Sequence, residues 1–235
     1  MRHFLVSTLF VCVACGGDAL DPGSGNSAGD GTGTLFVDGS ARAEPLIPNA
    51  ASADDFNTEF DVRVSLNGQT VNTGTVTMTG SSGTTELVFS PDGEFGGHWR
   101  GLASGYDEVY IMDVDTGTDN VTGVRVDGPD VHVFTAPLPG DTLDSLVPVE
   151  LTWDCDDNAD IITLRAGEVD NIAITDQGTF TLPAGTLRND SGQTVENELR
   201  LSRTNRVTPS GGVPGSELAV SVRQEITVLA QPTGL

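Results

Sequence analysis

Beyond the first thirty or so residues, apolar and polar positions alternate with a period of two in short runs separated by turn residues. Phe60, Val62, Val64 and Leu66 alternate with Asp61, Arg63 and Ser65, a pattern that predicts a half-buried strand. Further strands are predicted at 75–78, 86–89, 108–113, 123–126 and 131–134. Leu66-Asn67-Gly68 and Asp127-Gly128-Pro129-Asp130 punctuate them, because Gly and Asn accept a positive φ and Pro fixes its own. After a joint at Leu138-Pro139-Gly140-Asp141, a second series is predicted at 147–153, 160–165, 171–175, 179–182, 198–202 and 218–229. Short strands at this spacing predict an all-β chain with two antiparallel β-sandwich domains, 33–138 and 139–235, each of ordinary domain size.

The opening residues follow another rule. Arg2 and His3 precede the apolar run 4–11, which is too short to span a bilayer and has the form of the apolar region of an export signal. Residues 16–32 are rich in Gly, Ser and Asp and hold little that could build a core. They are expected to form a flexible tether with an average span of about 20–25 Å.

Between signal and tether stands Cys12-Val13-Ala14-Cys15, which resembles the lipobox of bacterial lipoproteins, with Cys12 in the place usually held by Leu. The resemblance implies cleavage after a signal peptide at 1–14, a lipidated Cys15 opening the tether at 15–32, and two or three acyl chains that hold the protein on a membrane. Gly16 after that cysteine is similar to the pattern of lipoproteins sorted to the outer membrane, so a cell-envelope location is implied. The stretches 109–115, 124–130 and 134–137 resemble uncharacterised bacterial envelope lipoproteins with tandem β-sandwiches. Trp153 sits in its strand series much as the core tryptophan of immunoglobulin-like folds does. The second half lacks Tyr and any disulfide, so the pattern is nearer to a fibronectin III-like sandwich.

Charge narrows the functional classes. The chain has no lysine, and its 11 arginines face 34 acidic residues, a net charge of −23. Such a surface repels phosphate backbones and anionic headgroups, which excludes nucleic acid and leaves the lipid as the means of holding a membrane. With Cys15 lipidated and Cys12 removed, Cys155 is the remaining thiol, so no internal disulfide is expected and Cys155 is read as a small core filler.

Candidate chemistry is sparse. Asp154, Asp156, Asn158 and Asp160 alternate with the spacing of the first ligands of a calcium loop, and crowded oxygen ligands suit that ion. Ala159 and Arg165 stand where an EF-hand needs Gly and Glu, so only a looser Ca²⁺ site is open to this loop, and calcium is the one candidate cofactor. Asp113, Asp115, Asp119 and Asn120 form a weaker group. Arg188, Arg200, Arg203 and Arg206 gather in one stretch; on a strand Arg200 and Arg206 share a face that Arg203 does not, and local acids are their expected partners. No nucleophile elbow is read, since the G-x-S-x-G match at Gly25–Gly29 falls within the Gly/Ser-rich stretch 16–32. His98 lies within Gly96-Gly-His-Trp-Arg100, while His132, between Val131 and Val133, is expected to face solvent. Trp99, Tyr106 and Tyr110 are the aromatics left for a sugar-binding platform, since Trp153 is assigned to the core. The expected protein is a lipid-anchored surface module that binds an unidentified protein or surface partner, adheres or spaces, without catalysis. A calcium-dependent module and a hydrolase accessory or enzyme of unknown class are the alternatives.

Overall fold

The structure is a computed structural model that describes residues 20–91, 96–190 and 193–231. The expected signal peptide, Cys15 and the first residues of the expected tether lie outside the described residues. Apart from a single 3-10 turn at Ala53–Asp55, the described chain builds strands. The first nine are β1 (Ser27–Gly31), β2 (Leu35–Pro45), β3 (Phe56–Leu66), β4 (Gln69–Thr70), β5 (Thr75–Gly80), β6 (Gly83–Glu86), β7 (Val88–Ser90), β8 (His98–Ser104) and β9 (Val109–Asp115). There follow β10 (Asn120–Asp127), β11 (Val133–Ala136), β12 (Thr142–Asp144), β13 (Val149–Asp154), β14 (Ile161–Ala166), β15 (Val169–Ile174), β16 (Thr179–Leu182), β17 (Val195–Val207) and β18 (Glu217–Gln231).

One large sheet runs β15-β14-β17-β18-β2-β3-β8-β7, with β4 and β12 at its margins. A five-stranded sheet, β1-β10-β9-β5-β6, packs on one part of it, and a three-stranded sheet, β11-β13-β16, on another. The fold is therefore all-β, as the alternation predicts, with sheets stacked as in a sandwich. Asn67 and Gly68 both adopt positive φ in the tight turn after β3, the conformation their side chains permit. Antiparallel pairing is not universal, because β18 runs parallel to β2 and to β12.

Two strands of the large sheet have weak sequence signals, β2 at its centre and β8 next to its edge strand β7. The inward face of β2 is Leu35, Val37, Gly39, Ala41 and Ala43, and small residues there leave room for side chains from elsewhere. A Cβ on Gly39 would lie 3.0 Å from Met112 Sδ and 3.1 Å from Leu218 Cδ1. The second, β8, turns Trp99 inward beside Gly101 and Ala103. Part of the stretch expected to be a flexible tether is a strand, because Ser27–Gly31 pairs with β10 as β1. Gly29 and Gly31 allow that approach; a Cβ on either would collide with the carbonyl oxygens of Thr122 and Asn120.

Two clusters of buried apolar residues lie between the sheets, and one strand feeds both. On β18, Leu218, Val220 and Val222 enter the first cluster, and Ile226, Val228 and Ala230 enter the second. Gln224 lies between them on the same inward face, fully buried, its Nε2 donating to the carbonyl of Ala50. The expected joint at Leu138–Asp141 is a turn between β11 and β12, closed by Asp141 N donating to Leu138 O at 3.1 Å. The clusters are thus not parted there, since the last strand of the chain belongs to both.

Polar side chains fill the seam between the clusters. Arg203 on β17, opposite Val222, is fully buried. Its Nε and Nη2 donate to Asp176 Oδ2 at 3.0 and 2.9 Å, Nη2 also donates to Asp157 Oδ1 at 2.9 Å, and Nη1 donates to Asp130 O at 3.0 Å. Asp176 accepts in addition from Ala159 N at 2.8 Å and Trp153 Nε1 at 3.3 Å. Nearby ties have the same form: Asn205 Nδ2 donates to Asp127 O at 2.8 Å, and Asn49 bonds both backbone groups of Phe134 at 2.6 and 3.0 Å. Removing one partner from a buried ion pair leaves an uncompensated charge and costs about 3–5 kcal/mol. Arg203→Met is expected to lower the unfolding free energy by that amount in a urea titration, and Arg203→Lys to restore little of it, because an ammonium cannot span three acceptors held by different loops.

Candidate functional site

The alternating acidic quartet is divided by the fold. Asp154 ends β13, Asp156 and Asn158 lie in the connection to β14, and Asp160 immediately precedes that strand. Asn158 and Asp160 line an open cavity of about 290 Å³ together with Asp127, Asp130, Asp157 and Asn205, whereas Asp154 and Asp156 do not line it. Much of this polar rim is already engaged: Asp157 holds Arg203, Asp160 Oδ2 accepts from Arg206 N at 3.0 Å, and Asp160 N donates to Asn205 Oδ1 at 3.0 Å. Burial and the negative charges of Asp157 and Asp156 raise the Asp130 carboxyl above the usual range, against the pull of Arg203. Glu108 is raised by burial and by Asp130, Asp127 and Asp157. Among the described residues, no group of three or more His, Cys, Asp or Glu side chains is gathered closely enough to hold a metal ion. The weaker group at 113–120 caps turns: Asp113 accepts from Gly123 N and Asp115 from Gly117 N, both at 2.7 Å.

The arginine stretch divides as strand geometry requires. Arg203 points inward, while Arg200 pairs with Glu198 and Glu225 at 2.9 and 2.8 Å and Arg206 with Glu217 at 3.1 Å. Arg188 pairs with Glu168 at 2.9 Å.

His132 overturns its expectation. It is fully buried and shares the inward face with Phe134, while Val131 and Val133 are half-buried, so the alternation holds with its phase reversed. Burial, and then the adjacent Arg203 charge, push its imidazole down to about 3, which makes it neutral at ordinary pH. Cys155 is half-buried against the second cluster, and burial raises its thiol. The aromatic platform is also absent as a surface. Trp99, Tyr106 and Tyr110 are all buried, with Trp99 Nε1 donating to Val71 O at 3.1 Å and Tyr106 Oη to Pro129 O at 2.7 Å. Burial pushes the Tyr110 phenol up to about 12 and Tyr106 well above its ordinary value. Trp153 lies in the second core, opposite Phe134, as its place in the sequence suggests.

A larger cavity, about 520 Å³, opens on the outward face of the large sheet among Ser40, Arg42, Glu59, Asp61, Arg100 and Leu102. Asp61 is its hub, with Oδ1 2.5 Å from His98 Nδ1 and Oδ2 3.0 Å from Arg100 Nε. Burial alone would raise Asp61, but these hydrogen bonds and charges outweigh it and hold the carboxyl below its usual value. Ser40 Oγ reaches the Asp61 backbone carbonyl at 3.5 Å and not the imidazole, and His98 is not part of the cavity wall. The trio is therefore a charged cross-strand network without a nucleophile in line. Neither Asp176 nor this network stands out in the sequence. An arginine at an inward-phase position of a strand, Arg203, is the one signal that a buried carboxylate must exist somewhere.

No family model matches the chain, and no curated protein is significantly similar to it in sequence.

A neutral buried histidine makes stability depend on pH. Its folded value near 3 lies below the unfolded value of about 6.5, so its contribution is complete above pH 6.5 and is lost as pH falls toward 3. That amounts to a loss of about 2 kcal/mol between pH 7 and pH 5. The raised carboxyls of Asp130 and Glu108 act with the opposite sign and are common to wild type and variant. In paired urea titrations at pH 7 and pH 5, His132→Leu is expected to remove that decrement.

Proposed function

We propose that the chain is a lipid-anchored protein of the cell envelope that works by binding, adhesion or structural spacing rather than by catalysis. The observation that carries this reading is the joining of both cores on one sheet through β18 and the Arg203 seam, which holds the surface loops of the two packed regions in a fixed relation. Groups with chemical potential serve the fold: His132 is sealed and neutral, the Cys155 thiol is raised, and the aromatics pack the core. Attachment rests on the lipobox-like tetrad ending at Cys15, and placement on an outer membrane on Gly16. Under this reading Cys15→Ser moves the protein from the membrane to the soluble fraction of expressing cells, and the amino-terminal peptide of the wild type carries acyl mass. An unmodified wild-type terminus, or fractionation unchanged by the substitution, overturns it.

A second reading is a calcium-dependent surface module: Asp127, Asp130, Asp157, Asn158 and Asp160 line one open cavity, and a cation would have to draw their carboxylates closer together than they stand. A ligand at 100 times its Kd stabilises by about 2.7 kcal/mol. On that reading excess calcium raises the melting temperature and a chelator lowers it again, and coincident melting curves remove calcium from consideration.

A further inference from the structure

The arginines are distributed unevenly over the molecule. Seven of the 11, at positions 42, 63, 100, 165, 200, 206 and 223, project from the outward face of the large sheet, where residues alternate with the buried positions. Carboxylates on neighbouring strands accompany them: Asp61 beside Arg100, Asp170 beside Arg165 at 3.1 Å, Glu44 beside Arg223 at 2.6 Å, and Glu225 and Glu217 beside Arg200 and Arg206. Arg42 stands opposite Glu59 in the register. This face is close to neutral, so nearly all of the net charge of −23 belongs to the rest of the chain.

A copy of this chain approaching in almost any orientation therefore meets like charge, and the outward face of the large sheet is where that repulsion is cancelled. We propose that this face is the contact surface of a homodimer in which two copies meet by the same face about a two-fold axis. An isologous contact needs a self-complementary surface, and one with interleaved guanidinium and carboxylate rows satisfies that need when reversed onto itself. The extent fits as well. Eight strands about 4.8 Å apart, averaging about nine residues, span about 1,100 Å², enough to hold the roughly 800 Å² per partner of a standard interface. Apolar anchors are present within the charged field: Leu102 is 63% exposed at the rim of the 520 Å³ cavity, and Val88 on the neighbouring strand is 71% exposed. Nothing in this proposal depends on the lipid anchor.

The test is sedimentation velocity of the full chain in a density-matched mild detergent, at tens of micromolar protein and two salt concentrations. A dimer is expected at about 0.05 M salt, with Kd raised about tenfold or more at 1 M, where the screening length falls to about 3 Å. Leu102→Asp sets like charges against each other across the contact and is expected to give monomer at the same concentration. Thr84→Asp, on the exposed edge strand β6 of the opposing sheet, is expected to leave the dimer intact. Association through acyl chains in a shared micelle would ignore both substitutions, so a dimer insensitive to Leu102→Asp overturns the proposal. A wild-type monomer at low salt overturns it equally, and so does a dimer lost with Thr84→Asp but not with Leu102→Asp.

Discussion

A guanidinium removed from water must find its full set of acceptors inside the protein, and Arg203 finds them on three separate segments: the Asp130 carbonyl before β11, Asp157 before β14, and Asp176 before β16. Desolvating the ion costs several kcal/mol unless that geometry is met, so the requirement fixes where these segments run. Trp153 and Ala159 are attached to the same carboxylate, which extends the constraint into the second core. His132 owes part of its neutrality to the nearby positive charge, and the half-buried Asp130 side chain is eased by it. A planar fork with five donors can join a carbonyl and two carboxylates in this way, which accounts for the use of arginine in a chain that has no lysine.

The same constraint decides how much of the fold was legible beforehand. Strands whose inward positions are large and apolar, such as β3, β14 and β16, were visible from alternation, and β16 was bounded at 179–182 as found. The inward row of β2 contains Gly39, Ala41 and Ala43; at Gly39 the space a side chain would take is occupied by Met112 and Leu218 from other strands, and hydrophobicity along β2 alone does not register a contact made from outside it. His132 misled because valine flanks it on both sides, and phase is set by which face meets Phe134 and the seam rather than by local hydrophobicity. At the candidate site, the spacing of Asp154 to Asp160 was legible, while its division was not. Asp157, the residue between the alternating positions, is the one that engages Arg203, and its partner Asp176 lies sixteen residues beyond Asp160 in a turn with no marked pattern.

Charge and architecture answer two different problems here. Within the seam, charges are few, paired and shielded from solvent. On the outward face of the large sheet they are many, exposed and balanced by cross-strand neighbours, each exposed pair contributing about 1 kcal/mol or less to stability. Such pairs add little to folding, and their main effect is on the field around the molecule, where acidic loops dominate in other directions.

The early strand β1 gives the amino-terminal end a mechanical character. Its backbone bonds to β10 along one edge, while Ser210 N donates to Ala28 O at 2.8 Å and Gly33 N to Gly211 O at 2.9 Å on the side of the connection between β17 and β18. Tension applied from the direction of Leu20 is thereby divided between two sheets before it reaches either core. A pull that peeled β1 from β10 alone would still have to break its grip on the chain's last hairpin, so β1 resists load on two sides at once.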